Sequence, residues 1–423
     1  MFMRKILWFT GVLIVVIGSF VFLNVYEAPT YYRPFREYKD IQNELLKEFI
    51  LARDSSIISL PEGHFLFSKS LILDGRKNIT IRGAGMDKTV LSFKGQKEGA
   101  EGLRITNGEN IILEDFTVED ATGDNIKVMD TDSIVFRRVK AAWTGKVSVK
   151  NGSYGLYPVL CNHVLIEYCE AQGSSDAGIY VGQSNHVIIR HNKAYQNVAG
   201  IESENSNHVE IYGNSAYDNT GGILVFNLPG LAQNGREIKV YDNQTSNNNR
   251  KNFGVKGAIV SNIPAGTGML VLASQEIDIF NNEIRDNRTL GLGIISYEMV
   301  YAMEKDTREM GRDAYGTDIR FINADFRSDI NYDPYPENIR TRENKFSNRF
   351  RLPAIHTDFG KIILFKNRMK IPDIAYDGIT PGDQLSSKMN ICIEEDNIRF
   401  VNLDAGNQFR NLSREISSFR CEF

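Results

Sequence analysis

Between Asn162 and Phe226 one pattern of hydrophobic and polar positions is written three times: NHVLIEYCEAQGSSDAGIYVGQS, NHVIIRHNKAYQNVAGIESENS and NHVEIYGNSAYDNTGGILVF. Asn162, Asn185 and Asn207 open the phrases, 23 and then 22 residues apart. Within each phrase apolar and polar residues alternate with period two, the signature of a strand with one buried face. A fixed period of this length predicts a solenoid in which each phrase is one coil stacked on the last. Aligned on the apolar pair of each first strand, further copies begin at Lys77, Glu109, Asp132, Arg236 and Gln275, with a late copy at Glu337. The inward pairs then run from Ile79/Ile81 and Ile111/Leu113 through Val164/Ile166 to Ile277/Ile279.

Two more columns follow from the alignment. The position seven residues after each start reads Ala84, Phe116, Val139, Cys169, Asn192, Asn214, Asn243, Asn282 and Asn344. Stacked amides at a turn can hydrogen-bond between coils, and Asn tolerates left-handed turn geometry. A second strand column runs through Asn125-Ile126, Gly155-Leu156, Gly178-Ile179, Gly200-Ile201, Gly222-Ile223, Gly268-Met269 and Gly293-Ile294. Strands contributed once per coil are parallel to one another, and parallel crossovers are right-handed. The fold class expected is all-β, a right-handed parallel β-helix.

Departures from the period mark loops on the solenoid surface. The steps after Asp132, Asn207 and Arg236 lengthen to 30, 29 and 39 residues, adding Trp143 to Tyr154, NLPGLAQNG and NFGVKGAIVSNIPAGTG. Glu37 to Leu51 has helical spacing and suits an N-terminal cap over the open core. Glu298 to Arg312 reads as helical and Asp313 to Asp333 as an acid-rich loop; KIILFKN, NICIEE and NIRFVNL read as strand-like pieces of the last coils and cap. The domain organisation expected is a signal or anchor segment (1–29), capping helix and lead-in (30–55), β-helix (56–296), helical and loop insertion (297–336), and final coils with a C-terminal cap (337–423).

At the N-terminus, Arg4 and Lys5 precede 18 uncharged residues, Ile6 to Leu23. That run is long for a signal-peptide core and enough for a spanning helix, and its positive flank directs the following chain across the membrane. An uncleaved anchor or a cleaved signal peptide both place the solenoid outside the cytoplasm, in the periplasm or cell envelope. The net charge of −4 gives no electrostatic case for nucleic acid. Four cysteines are too few for a disulfide scaffold; Cys169 falls in a buried column, and Cys392 and Cys421 can pair in an oxidising compartment.

The segments GDNIKV, NGSYGLYPV, SDAGIYVGQS, AGIESENS and TGGILVFNLPGL, with PEGHFLFSKSLILDGRKNITIRGAG upstream, resemble the bacterial parallel β-helix repeat family of the pectin-lyase-like superfamily. The resemblance covers about Ser56 to Ser296 and implies extracytoplasmic carbohydrate chemistry on uronate polymers by lyases, hydrolases or C5-epimerases. The DPHE, WIDH and GHG motifs that mark particular activities are absent, so it implies a fold and a substrate class rather than one reaction.

Candidate chemistry sits on the second strand. If Ile126, Leu156, Ile179, Ile201 and Ile223 face inward, Lys127, Tyr157, Tyr180, Glu202 and Leu224 form an outward column beside a glycine column that can floor a groove. Neighbouring coils are about 4.8 Å apart, a spacing an extended sugar chain can track. Asp176, Lys127 and Glu202 are the candidate catalytic residues; Tyr157, Tyr180, Asp124 and Glu204 are candidates for binding substrate. The four carboxylates can hold Ca²⁺, with Lys127 or a tyrosine as base, as polysaccharide lyase- or epimerase-like chemistry needs, and that is the enzyme class expected if the protein is an enzyme. Asp124 and Asp176 lie two coils apart, roughly 10 Å by strand spacing, and match neither glycosidase geometry. His163, His186 and His208 form an outward column that reads as a repeat feature of the turn rather than a metal site. The partners expected are a polysaccharide and, through the N-terminal segment, a membrane. The alternative is a non-catalytic scaffold or accessory protein of the cell envelope.

Overall fold

The computed structural model describes residues 37–304, 326–382 and 389–421. The expected anchor, Ile6 to Leu23, and the rest of the predicted helix and acid-rich loop between 305 and 325 lie outside the described residues. Among the described residues, no helix is long and apolar enough to cross a membrane.

The chain winds into coils whose strands stack in parallel register. Each coil gives a long and a short strand to a nineteen-strand sheet and a third strand to an eleven-strand sheet. The alignment of the repeats is the observed register: Asn162 pairs with Asn185, Asn185 with Asn207, and Gln275 with Glu337. The inward pairs from Ile79/Ile81 to Ile277/Ile279 are no more than 2% exposed and line one continuous core. Burying a Val or Ile side chain stabilises by roughly 1.5–3 kcal/mol, so the repeated pairs supply much of the drive to stack.

The second residue of each coil has left-handed backbone, with φ of 53°, 56° and 53° at His163, His186 and His208 and 54° at Asn78. Asn, Asp and His tolerate this geometry best, which accounts for the asparagines and histidines of that column, although Ser133, Glu237 and Glu276 adopt it as well. The turn asparagines form the expected ladder. Asn192, Asn214, Asn243, Asn282 and Asn344 each donate through Nδ2 to a core-strand carbonyl, and each donates its backbone N–H to the side chain of the next coil. Glu395 closes the ladder, accepting from the Asn344 backbone and side chain.

At the N-terminal end, helix α1 (Gln42–Leu51) covers the core with Leu45 and Phe49 buried. Ile50 and Leu51, at the end of the helix, are exposed. Helix α2 (Tyr297–Glu304) begins where the second predicted helix does. One assignment is corrected: KIILFKN is not a strand but most of helix α3 (Asp358–Lys366). The Thr357 hydroxyl caps its first turn by accepting from the Gly360 N–H, while Phe359 and Ile363, four apart, face inward and Phe365 faces solvent. NICIEE and NIRFVNL do contain strands, Ile391–Ile393 and Phe400–Asn402. A Cys392–Cys421 disulfide ties the last coil to the C-terminal segment, whereas Cys161 and Cys169 are buried free thiols.

Candidate active site: carboxyl groups at the edge of a covered face

The outward column of the eleven-strand sheet is observed and extends beyond the sequence reading at both ends. Arg104 pairs with Lys127, Lys127 with Tyr157, Tyr180 with Glu202, Glu202 with Leu224 and Leu224 with Leu270. It is not a uniform exposed ridge. Arg104, Lys127 and Tyr157 keep contact with solvent, whereas Tyr180, Glu202 and Leu224 are 4%, 1% and 0% exposed. The insertion between Asn249 and Gly266, helix α2 and the segment around Phe326 and Tyr332 close over the apolar half of this face.

The last glycine of the predicted column is displaced. Met269 pairs with Leu292, so Gly291 continues the column and Gly293 stands two residues further on, opposite Leu270. The glycines are also not a groove floor. A Cβ at Gly178, Gly200, Gly222 or Gly268 would fall 2.5 to 2.9 Å from the Nδ2 of Asn197, Asn219, Asn248 or Asn287, respectively. Those four asparagines make a second ladder, five residues beyond the first, with Nδ2-to-Oδ1 bonds of 3.0 to 3.1 Å between coils. Glycine is there because the amide ladder occupies the space a side chain would need.

Where the covered and open halves meet, Asp124, Asp176, Glu202 and Glu204 gather with Tyr154, Tyr157 and Tyr180. The three rings pack with centroids 4.4 to 5.0 Å apart, and the Lys127 ammonium stands 5.0 Å above the Tyr157 ring. The Tyr180 hydroxyl donates to Glu204 Oε1 at 2.6 Å. Gly182 permits this: a Cβ there would meet that hydroxyl at 2.4 Å. The Tyr154 N–H donates to Asp124 Oδ1 at 3.1 Å. Asp176 Oδ1 and Glu202 Oε2 are buried with no hydrogen-bond partner.

Burial and mutual repulsion dominate the electrostatics. Burial pushes Asp124 up to about 7 against the opposing pull of Lys127. Burial, then the charges of Glu204 and Asp124, raise Asp176 well above the carboxylate range, with the Tyr154 hydroxyl drawing it partly back. Glu202 is raised well above that range by burial and then by Asp176 and Glu204. Glu204 is pushed up to about 7 by burial, opposed by the Tyr180 hydrogen bond. Near neutral pH the cluster therefore holds mostly neutral acids, able to donate protons, and releases them one after another as pH rises.

The geometry does not suit the calcium reading. Among the described residues, the one place where three potential ligand atoms from His, Cys, Asp or Glu lie within 4.8 Å of one another is Cys392, Glu394 and Cys421, and its two sulfurs are bonded to each other. The four carboxyls supply no such cage, and Glu204 Oε1 is already engaged by Tyr180. His163, His186 and His208 stack with centroids 5.1 and 4.9 Å apart and planes within 11°. Their Nδ1 atoms are taken at both ends of the stack, by Asp132 at 2.9 Å and Glu237 at 2.8 Å.

All seven sequence-predicted site residues fall in this one region. Tyr154 was missed because it lies in an insertion that breaks the period, although NGSYGLY carries two of the three clustered rings. The second asparagine ladder was legible as a second Asn five residues after the first in four successive coils. The covering of the face was not.

These features define a right-handed parallel β-helix with a buried acidic cluster on one outer face. Residues 144–302 match the family model described as right handed beta helix region, and the resemblance read from the sequence holds as far as the right-handed β-helix. Solved structures of similar fold include the A-module of mannuronan C-5 epimerase AlgE4 from Azotobacter vinelandii, at 13% identity and TM-score 0.47, covering 80% of this chain and 90% of that one. An exopolygalacturonase from Thermotoga maritima matches at 12% identity and TM-score 0.44, covering 75% and 90%. A DFA-IIIase from Arthrobacter chlorophenolicus A6 matches at 10% identity and TM-score 0.44, covering 76% and 83%. No curated protein matches the chain.

Proposed function

We propose that this is an exported carbohydrate-active β-helix protein that binds a uronate-type polysaccharide along the open part of the eleven-strand sheet and cleaves it at the carboxyl cluster. The observation that carries this reading is the set of buried, unpartnered carboxyl oxygens on Asp176 and Glu202 at the end of a row of partly exposed cations and aromatic rings. Asp176, partly exposed and held protonated, donates its proton to the glycosidic oxygen. Of Glu202 and Glu204, the one that ionises acts on the anomeric carbon directly or through water. Tyr180 fixes Glu204, Tyr157 and Tyr154 line the approach, and Lys127 meets a substrate carboxylate. Elimination or epimerisation asks, besides such a clamp, for a base at the C5 proton, whereas burial favours the protonated forms of Asp176, Glu202, Tyr154 and Tyr180. The Cys392–Cys421 disulfide supports an oxidising compartment and so export.

The near-complete burial of Glu202 favours the second reading, a polysaccharide-binding accessory protein of the envelope. Incubating the protein with alginate, polygalacturonate and hyaluronan, while following both reducing ends and the ultraviolet absorbance of unsaturated ends, separates the two. New reducing ends without unsaturation, abolished in Asp176→Asn and in one of Glu202→Gln and Glu204→Gln, are expected. Unsaturated ends would replace hydrolysis by elimination, and binding with no turnover would leave the accessory role.

A further inference from the structure

The outer face of the eleven-strand sheet is open at one end and walled at the other, and the acidic cluster lies at the wall. On the open side, Ile72 is 40% exposed and Arg104, Lys127 and Tyr157 follow it, one per coil. Beyond Glu202 the same column continues as Leu224 and Leu270, at 0% and 6% exposure, and its neighbour as Phe226 and Leu272, at 2% and 1%.

The wall is a built element. Asn252 Nδ2 donates to the carbonyls of Val260 at 2.8 Å and Ile263 at 3.0 Å, and its Oδ1 accepts from the Gly254 N–H at 2.8 Å. One side chain thus ties both limbs of the insertion together. The insertion is rooted in the coils through the Gly266 N–H, which donates to the Asn248 carbonyl at 2.7 Å. Its apolar residues, Phe253, Val260 and Ile263 among them, pack in the same cluster as Tyr180 and Leu224. On the far side, the Tyr332 hydroxyl donates to the Asn227 carbonyl at 2.8 Å, and Tyr297, Phe326 and Tyr332 pack edge to face.

Resting on the function proposed above, we propose that the protein acts on chain ends. A polymer lying along the column enters from the Arg104 side with about one sugar per coil and cannot continue past Glu202, so its terminal residues are held against the insertion. Arg104 and Lys127, in register on adjacent strands, then serve the sugars on the retained side of the cleaved bond. Arg104 keeps contact with solvent and stands one coil further from the cluster than Lys127, where its guanidinium can meet the next carboxylate along the chain.

The test uses the full chain and alginate, polygalacturonate and hyaluronan, with products sized chromatographically from the earliest time points and viscosity followed in parallel. Chain-end action predicts one short product from the start, at least tenfold more abundant than any intermediate length, with little early loss of viscosity. A spread of intermediate lengths with an early viscosity collapse overturns chain-end action and leaves the proposed function standing. Neither turnover nor binding on any of the three overturns both. Replacing residues 252–264 by a short turn should open the groove and shift products to intermediate lengths. Because that deletion risks the fold, Asn252→Ala, which removes the tie between the limbs, serves as the second variant. Its share of internal cleavage should rise several-fold, and an unchanged product pattern in a folded Asn252→Ala protein counts against the wall.

Discussion

Asp124→Asn tests the electrostatics of the cluster by stability alone, with no need of a substrate. The carboxyl is held at about 7 in the fold, against about 3.9 in an unfolded chain. At about 1.36 kcal/mol per pK unit, ionising it in the folded state costs roughly 4 kcal/mol. The sign follows from which state keeps the proton. Below about pH 4 both states are largely protonated and the penalty is absent. As pH rises from about 4 to about 7 the unfolded chain releases its proton while the folded chain retains it, so stability is lost across that window; above it the loss is complete. Asparagine keeps an oxygen for the Tyr154 N–H and has nothing to ionise. Denaturant unfolding should therefore give a variant within about 0.5 kcal/mol of wild type near pH 4, and more stable by about 2–4 kcal/mol near pH 8.5. An equal gap at both pH values, or a wild type that is the more stable at high pH, would refute the burial argument. Adding calcium chloride at high pH should leave the wild-type curve in place, since the carboxyls form no three-oxygen cage; a calcium-dependent gain would restore the cation reading.

Three other perturbations probe the site and the scaffold. Tyr180→Phe removes the hydrogen bond that draws Glu204 down, so any activity that needs ionised Glu204 should move its acid-side limb to higher pH, falling about tenfold at fixed pH for each pH unit the limb moves; an unmoved profile of the folded variant would remove Glu204 from the mechanism. Asn243→Ala deletes the acceptor for the Asn214 N–H and amide, and the donor to the Ile211 carbonyl. It should cost about 2–4 kcal/mol in denaturant unfolding by leaving buried groups unsatisfied, whereas a cost below about 0.5 kcal/mol would deny the ladder a structural role. Cys392→Ser opens a loop of 29-residue separation and should cost about 3–4 kcal/mol by the loop-entropy relation, seen as a lower denaturation midpoint that reductant reproduces in wild type but not in the variant.

The repeat made much of this legible, because a column read from the sequence is a physical row in a parallel solenoid. Asn162, Asn185 and Asn207 align in sequence and pair in space. Val164, Val187 and Val209 alternate with polar neighbours and are buried. Lys127, Tyr157, Tyr180 and Glu202 were placed on one outward row from their spacing alone, and that row is observed. What the period does not encode is what lies on top of it. Glu202 looks like a surface residue until the insertion around Asn252 and Val260 is placed over its face, and that packing depends on contacts between Val260, Ile263 and Leu224 that no period relates. Helix α3 was misread for a related reason: KIILFKN is a short apolar run whose character is decided by the Thr357 cap and the burial of Phe359 and Ile363.

Stacking coils makes neighbours of residues one period apart, so every column asks whether like groups tolerate one another. Amides do, each donating to the coil on one side and accepting from the other, and so do aromatic rings: Tyr212, Tyr241 and Phe280 stack at 4.8 Å centroid spacing. Carboxylates do so only at a cost, and along two rows the chain interleaves them with cations. Arg82, Glu114, Arg137, Glu167 and Arg190 succeed one another in register, with Glu167 paired at 2.6 Å to guanidiniums on both sides. Burial raises Glu167, yet those two guanidiniums bring its carboxyl below the ordinary value. Glu210, Lys239, Asp278 and Arg340 alternate in the same way. Asp176, Glu202 and Glu204 depart from this rule. Glu202 and Glu204 share one strand two residues apart, Asp176 leads into the strand of the neighbouring coil, no cation among the described residues acts on any of the three, and Asp176 and Glu202 carry oxygens without partners. The next coil carries Leu224 and Phe226 in the columns of Glu202 and Glu204, so the stack accepts apolar residues there, and keeping buried acids instead costs stability. That departure, more than the cluster's location, is the physical argument behind the proposed catalytic role.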